Sequence, residues 1–136
     1  MKFLVFCFLI FSSLASYAVF IKDVELTGNT KTKLSALIRW ANIPIGKEIS
    51  QERYDFVIEK LNRINQVNLK SVSFEEGIMK IVIEDKWSLF PVPMVTQSGD
   101  YFSRGFLIYE NNFLGRLGTF VPGVFWTNSG LNAILY

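Results

Sequence analysis

The apolar residues of this chain change their spacing at Trp87, and this change divides the sequence into two parts. Before Trp87, stretches with a helical period of apolar residues alternate with stretches of period two. After Trp87, apolar and aromatic segments are separated by QSGD, ENNFLGR and TNSG, and no helical period appears. A spacing of roughly 15 residues between such turns is typical of long strands. We therefore predict an α+β domain over 19–86, followed by antiparallel strands over 87–136.

The strands of the first part are predicted from alternating apolar residues. Residues 19–27 form one strand, with Val24 and Leu26 on the same side, and Gly28 follows it. Residues 71–75 and 79–84 form a hairpin, because both alternate and Glu76-Gly77 between them favours a turn. One face of this hairpin is apolar and is expected to face a core.

Two amphipathic helices are predicted between these strands. The first is capped by Thr30 and runs to about Ala41; residues 42–49, which contain Pro and Gly, form a loop. The second is capped by Ser50 and runs to about Asn65. Its apolar stripe is the clearest period in the chain and comprises Tyr54, Val57, Ile58, Leu61 and Ile64. The order β-α-α-β-β predicts two helices covering one face of a three-stranded sheet.

The first 18 residues are typical of a secretory signal peptide. Lys2 precedes an unbroken apolar run over 3–11, and Ser16-Tyr17-Ala18 places small residues at the cleavage positions. Cleavage after Ala18 would leave a chain that begins at Val19. The alternative is an uncleaved anchor, but the run is shorter than the ~20 residues that a membrane helix needs.

Composition excludes several classes of enzyme. The chain has no His, and its only Cys is Cys7, which lies inside the predicted signal peptide. The mature chain therefore lacks the residues for a Ser-His-Asp triad, a Cys-His pair or a His/Cys zinc site. Gly115 and Gly118 are not followed by the pattern of a phosphate-binding loop. We predict no catalytic activity, no cofactor and no metal, and a net charge of +2 gives no reason to expect a nucleic-acid partner.

Three segments carry a resemblance to a known family. These are VELTGN over 24–29, IVIEDKW over 81–87 and GFLIYENNFLGRLG over 105–118. They resemble, respectively, the first strand of a POTRA (polypeptide-transport-associated) domain, its last strand, and an early barrel segment of the bacterial outer-membrane assembly-factor superfamily, which includes BamA and TamA. The resemblance implies a POTRA-like domain over 19–86 and the N-terminal strands of a transmembrane β-barrel over 87–136.

The resemblance also implies a function and a location. The chain would be the N-terminal part of an outer-membrane protein assembly or translocation factor, with its POTRA-like domain in the periplasm. Its partners would be unfolded outer-membrane or secreted polypeptides, outer-membrane lipid and accessory periplasmic proteins. Clients would bind by strand addition to an exposed sheet edge, for which the best candidates are Val72, Ser73, Phe74 and Glu75. The alternative is that this edge is merely solvated.

The same resemblance assigns the turn at Asn111, Asn112, Phe113, Leu114 and Gly115 to the periplasmic end of the barrel. Asn and Gly would supply the positive φ angles of the reversal. The Phe-Leu pair would cover the base of the barrel or touch the POTRA-like domain. Alternatively, both side chains would be interfacial anchors without a protein partner.

The length of the second part departs from the family. Residues 87–136 provide four strands at most, whereas the smallest membrane barrels use about 8. We expect a truncated or split form of a longer protein; the alternative is closure with other copies or another chain. A different possibility is a soluble binding module of the periplasm or cell surface, with 87–136 as a partly folded tail that folds without detergent.

Overall fold

The computed structural model describes residues 18–136, so 1–17 of the predicted signal peptide lie outside the described residues. In chain order the elements are β1 (Val19–Ile21), β2 (Asp23–Thr27), α1 (Leu34–Ala41), β3 (Lys47–Ile49), α2 (Gln51–Asn62), β4 (Val67–Glu75), β5 (Ile78–Asp85), β6 (Leu89–Ser98), β7 (Tyr101–Glu110), a short 3-10 helix (Phe113–Gly115), β8 (Pro122–Thr127) and β9 (Gly130–Leu135). The chain is α+β, as predicted. No helix within residues 18–136 has both the length and the apolar character required to cross a membrane.

Residues 19–86, called the module below, are built on a three-stranded sheet. β5 is its central strand; β2 pairs with it in parallel and β4 pairs with it antiparallel. The predicted hairpin is confirmed, because β4 and β5 meet at Glu76-Gly77. Alternate residues of β5 are buried with the apolar faces of the two helices, and the core contains Leu37, Val57, Leu61, Ile64, Met79, Ile81 and Ile83.

The start of the module differs from the prediction in one respect. The single strand predicted over 19–27 is broken at Lys22, and β1 leaves the main sheet to pair antiparallel with β3. β3 lies within residues predicted to be a loop, so that prediction was wrong. Ile21 and Ile49 are both buried. The two short strands therefore place these side chains in the core, a long-range pairing that local periodicity does not reveal.

The two helix starts had different outcomes. The Ser50 cap is confirmed, since its hydroxyl accepts the Arg53 backbone N–H at 3.3 Å. The Thr30 cap is wrong, because α1 begins only at Leu34 after Lys33. Thr30 instead donates its backbone N–H to the carboxylate of Asp85 at 2.7 Å. The loop before α1 is therefore held by the end of β5.

Residues 87–136 form a four-stranded antiparallel sheet in the order β6-β7-β8-β9, called the C-terminal sheet below. The 98–101 and 127–130 hairpins lie at the same end of this sheet. Asn128 joins them by accepting the backbone N–H of Phe102 at 3.1 Å and donating to the carbonyl of Asp100 at 2.5 Å. The turn between β7 and β8 lies at the opposite end, next to the module.

The strand register defines two faces of the C-terminal sheet, because paired residues share a face. One face, called the Trp126 face, is apolar along most of its length. Its members include Leu89, Pro91, Pro93, Val95, Phe102, Arg104, Phe106, Ile108, Val124, Trp126, Leu131, Ala133 and Leu135. The opposite face carries small or polar residues near the hairpins, namely Thr96, Ser98, Ser103, Thr127 and Asn132. Toward the junction it is apolar as well, with Phe90, Val92, Met94, Leu107, Tyr109, Phe125 and Ile134.

Candidate functional site at the junction

The carboxylate of Asp85 organises the loop that the module presents to the C-terminal sheet. Its Oδ2 accepts three successive backbone N–H groups, from Thr30, Lys31 and Thr32, at 2.7, 2.6 and 3.1 Å. Its Oδ1 accepts the hydroxyl of Thr32. Burial raises the pKa of Asp85, but these hydrogen bonds outweigh burial and hold the pKa below its ordinary value.

Asn112 connects this loop to the turn between β7 and β8. Its side chain is fully buried, and its amide nitrogen donates to the Thr32 hydroxyl oxygen at 2.8 Å. Its amide oxygen accepts the backbone N–H of Leu117 at 3.0 Å. The amide thus joins the module to both ends of the turn, and its burial costs little because donor and acceptor are both satisfied.

Gly115 allows the two backbones to approach closely. Lys33 donates its backbone N–H to the Gly115 carbonyl at 2.9 Å. A Cβ atom at Gly115 would lie 1.9 Å from the carbonyl oxygen of Lys31, and the backbone there has φ +72°. Any other residue would therefore clash with the module as well as strain its own backbone.

Leu117 carries the apolar part of the contact. Its side chain is only 7% exposed and belongs to the buried core of the module. Leu114 is 55% exposed, and Phe113 stacks on Phe120 with 4.3 Å between ring centroids. The turn does touch the module, and Leu117 is its residue in the buried core, whereas Phe113 and Leu114 lie outside that core.

The backbone of the turn also differs from expectation. The two asparagines do not supply the positive φ angles; these belong to Leu114, Gly115 and Leu117, at 54°, 72° and 59°. Positive φ is unusual for leucine and costs energy. At Leu117 the burial of the side chain and the hydrogen bond from its N–H to Asn112 oppose that cost.

An ion pair borders the same contact. The Lys31 ammonium donates to Glu110 Oε2 at 2.7 Å and to the hydroxyl of Ser88 at 2.9 Å. Glu110 and Ser88 are both buried, and Asn111 donates its backbone N–H to the Ser88 carbonyl at 3.0 Å. The last residue of β7 and the segment before β6 are therefore both tied to the module.

The predicted client-binding residues lie elsewhere. Val72, Ser73, Phe74 and Glu75 occupy the last part of β4, which has a strand partner on one side only within residues 18–136. Val72 and Phe74 point toward the helices, and Ser73 and Glu75 are exposed. The residue of β4 opposite Asp85 is Val67. The structure therefore places this edge and the turn at 111–115 at opposite ends of β5.

The important junction residues that sequence reasoning missed are Lys31, Thr32, Asp85, Glu110 and Leu117. Local pattern does not mark the four polar ones, because each acts on residues more than 50 positions away. Leu117 had a weak signal, an apolar residue between two turn glycines. Among residues 18–136, no group of three or more His, Cys, Asp or Glu side chains is placed to hold a metal ion. The junction residues join the two parts by hydrogen bonds, one ion pair and one buried apolar side chain.

A scan against protein-family models finds no match. A search of curated proteins finds none either. Among solved structures, the chain is similar to BamA from Haemophilus ducreyi lacking POTRA domains 1–3, with a TM-score of 0.58 and 20% identity over 86% of this chain. It also matches CdiB from Acinetobacter baumannii over 81% of this chain, at 13% identity and a TM-score of 0.43, covering 22% of that chain.

The chain spans about a quarter of the BamA structure, covering 24% of it. At this identity the similarity establishes the fold, and the resemblance inferred from the sequence is confirmed at that level. The match takes in most of the module and the C-terminal sheet together, since neither part alone accounts for 86% of the chain.

Proposed function

We propose that this chain is the N-terminal part of an outer-membrane protein assembly or translocation factor. In this proposal the module is a POTRA-like domain in the periplasm, and β6–β9 are the first strands of a transmembrane β-barrel. The similarity of fold to BamA supports the proposal, but the observation that carries it is the exposure of the C-terminal sheet.

That sheet exposes more apolar side chains than a monomeric protein in water normally leaves uncovered. Every residue of β6 and of β9 is exposed, and Val95, Leu131 and Leu135 are 72, 63 and 74% exposed. An antiparallel sheet in water normally keeps one face polar. A contiguous apolar face of this size marks a surface that meets lipid or protein. Lipid suits the Trp126 face, because that face stays mainly apolar toward the hairpins, where the opposite face becomes small or polar.

Aromatic residues mark both ends of the sheet. Trp87 is 75% exposed at the junction end, and Tyr101 and Trp126 are 49 and 47% exposed near the hairpins. Membrane barrels place aromatic girdles at both interfaces with water. In the proposed orientation the 98–101 and 127–130 hairpins face the cell exterior. The turn at 111–115 faces the periplasm, where it contacts the module.

The proposed client site is the free edge of β4. An extended client would add as a further strand beside Val72, Ser73, Phe74 and Glu75, with main-chain hydrogen bonds supplying most of the affinity. Phe74 contacts Tyr54 of α2 edge-on, with 6.4 Å between ring centroids. Apolar client side chains would pack on this partly exposed pair. Such binding would depend little on client sequence.

The membrane topology is tested by labelling single cysteines in living cells. Two variants of the full chain, both in a Cys7→Ser background, carry Ser98→Cys in a hairpin or Ser35→Cys on the exposed side of α1. A membrane-impermeant maleimide should label Ser98→Cys in intact Gram-negative cells and Ser35→Cys only after permeabilisation of the outer membrane. Equal labelling of both in intact cells, or recovery of the protein in the soluble fraction, would instead indicate the soluble binding module.

Client binding is tested by photocrosslinking. A photoreactive amino acid at Ser73 should crosslink to an unfolded outer-membrane polypeptide, whereas the same group at Ser35 should not. Both positions are exposed serines of the module, so Ser35 controls for chance encounter. Equal yields from the two positions would contradict strand addition at β4.

A further inference from the structure

Arg104 interrupts the otherwise apolar middle of the Trp126 face. The register places it directly between Val95 of β6 and Trp126 of β8. Phe102 and Phe106 precede and follow it on the same side of β7. Its side chain therefore emerges among aromatic and aliphatic groups.

No side chain of residues 18–136 compensates the charge of Arg104. The ion pairs among these residues involve Lys31, Arg63, Lys70 and Lys80, and no hydrogen bond of the Arg104 side chain is found. Beside the guanidinium the sheet surface forms an open depression of about 420 Å³. Its lining is mainly apolar and consists of Pro93, Met94, Val95, Arg104, Gly105, Phe106 and Trp126.

We propose that Arg104 and this depression bind an anionic phospholipid. The phosphate would accept hydrogen bonds from the guanidinium, and one acyl chain would lie against Val95, Phe106 and Trp126. This inference rests on the proposed membrane location of the sheet and adds a lipid class to it.

Two features of the site favour this occupant. A guanidinium presents a planar fork of donors that matches phosphate oxygens, and it stays charged in an apolar setting. Arg104 is three residues from Tyr101, which begins the strand beside the hairpin. At ~3.4 Å per residue its Cα lies about 10 Å from that strand end, so its side chain can extend to the headgroup layer while its stem packs on apolar groups.

The test uses the full chain with Trp40→Phe and Trp87→Phe, which leaves Trp126 as the only tryptophan. The chain is diluted from urea into vesicles of phosphatidylcholine, or into vesicles that also contain phosphatidic acid brominated in its acyl chains, and Trp126 fluorescence is recorded against vesicle concentration. We expect about fivefold tighter binding to the phosphatidic acid vesicles, the effect of one basic residue at an anionic membrane surface. The brominated chains should quench Trp126.

Two variants with the same net charge separate the site from general electrostatics. Arg104→Gln should abolish the preference for phosphatidic acid, whereas Arg39→Gln, which removes an exposed charge from α1, should retain it. Arg104→Lys keeps the charge and should retain a preference. If circular dichroism shows that Arg104→Gln has lost its β-structure, that variant is uninformative and Arg104→Lys decides. Loss of the preference for phosphatidic acid in a correctly folded Arg104→Lys would then overturn the proposal.

The remaining outcomes distinguish failure of the lipid site from failure of the proposed function. Equal binding to both vesicle types, with intact membrane association, would overturn the lipid site and leave the proposed function standing. No association with either vesicle would overturn both. Binding of inorganic phosphate in solution without quenching by the brominated chains would indicate a site for free phosphate and contradict a lipid.

Discussion

The module and the C-terminal sheet are joined in one chain but are stabilised in different ways. Every strongly buried apolar residue of the described chain except Leu117 lies in the module. The C-terminal sheet has long strands and a regular register, yet all residues of β6 and β9 are exposed. Side-chain burial stabilises the first part, whereas backbone pairing and the junction are what order the second.

This difference indicates what each part requires from its surroundings. The module can cover its apolar residues with two helices, as a small domain in water does. The C-terminal sheet has no second layer within residues 18–136, so its apolar area remains to be covered by lipid or protein. The junction combines the two parts, since Leu117 belongs to the turn of the C-terminal sheet but is buried in the core of the module.

The largest expected difference is in solution behaviour. Residues 19–136 should aggregate in buffer and gain β-structure in detergent, while 19–86 alone should stay monomeric, because exposed apolar strands with open edges associate. Sedimentation velocity and far-ultraviolet circular dichroism measure both. A well-dispersed, cooperatively folded monomer of 19–136 in plain buffer would contradict the barrel proposal.

The next largest effect is expected in the core of the module. Leu61 is 1% exposed, at the centre of the apolar stripe of α2. Leu61→Ala should lower the free energy of unfolding by about 2–5 kcal/mol, as for other buried leucines. Urea unfolding in detergent measures this. Phe56→Ala on the exposed side of the same helix is the control. An equal loss of unfolding free energy in both variants would show that the stripe does not form the core.

A smaller effect is expected at the junction, where two leucines of one turn have opposite exposure. Leu117→Ala should lower the free energy of unfolding of the module by about 2 kcal/mol. This is the lower end of the range for buried leucines, because Leu117 is the only residue of the turn in this core. Leu114→Ala should have little effect, since Leu114 is 55% exposed. The comparison is made by urea unfolding of the full chain in detergent. A larger loss for Leu114→Ala would mean that the turn does not insert Leu117.

The smallest effect is expected from Asp85, and it should depend on pH. Asp85→Asn should cost about 1.5 kcal/mol at neutral pH, because hydrogen bonds to a charged acceptor are weakened. The pKa of Asp85 is held below its ordinary value in the folded chain, so its stabilising effect is present above the unfolded pKa and is lost as pH falls through the folded pKa.

The difference between wild type and Asp85→Asn should therefore shrink as the pH is lowered below the ordinary pKa of an aspartate. Urea midpoints in detergent, measured across that range, test this directly. A difference that stays constant with pH would show that the charge of Asp85 does not hold the loop.

Sequence reasoning was most accurate where structure depends on near neighbours. The stripe of α2, its Ser50 cap and the β4–β5 hairpin follow from residues a few positions apart, and all three are present. It failed at β3 and at the start of α1. In both places the chain conformation is fixed by distant partners, β1 in one case and Asp85 in the other.

The sequence by itself determined the α+β character of the first part and the β-strand character of the second. Periodicity reports these features because helices and strands repeat over a few residues. Only the tertiary structure decided which residues hold the two parts together. Asn112 meets Thr32 across 80 positions, and Leu117 enters a core to which no neighbouring residue belongs. Such contacts depend on close packing and paired hydrogen bonds between distant segments, which leave no repeating pattern in the sequence.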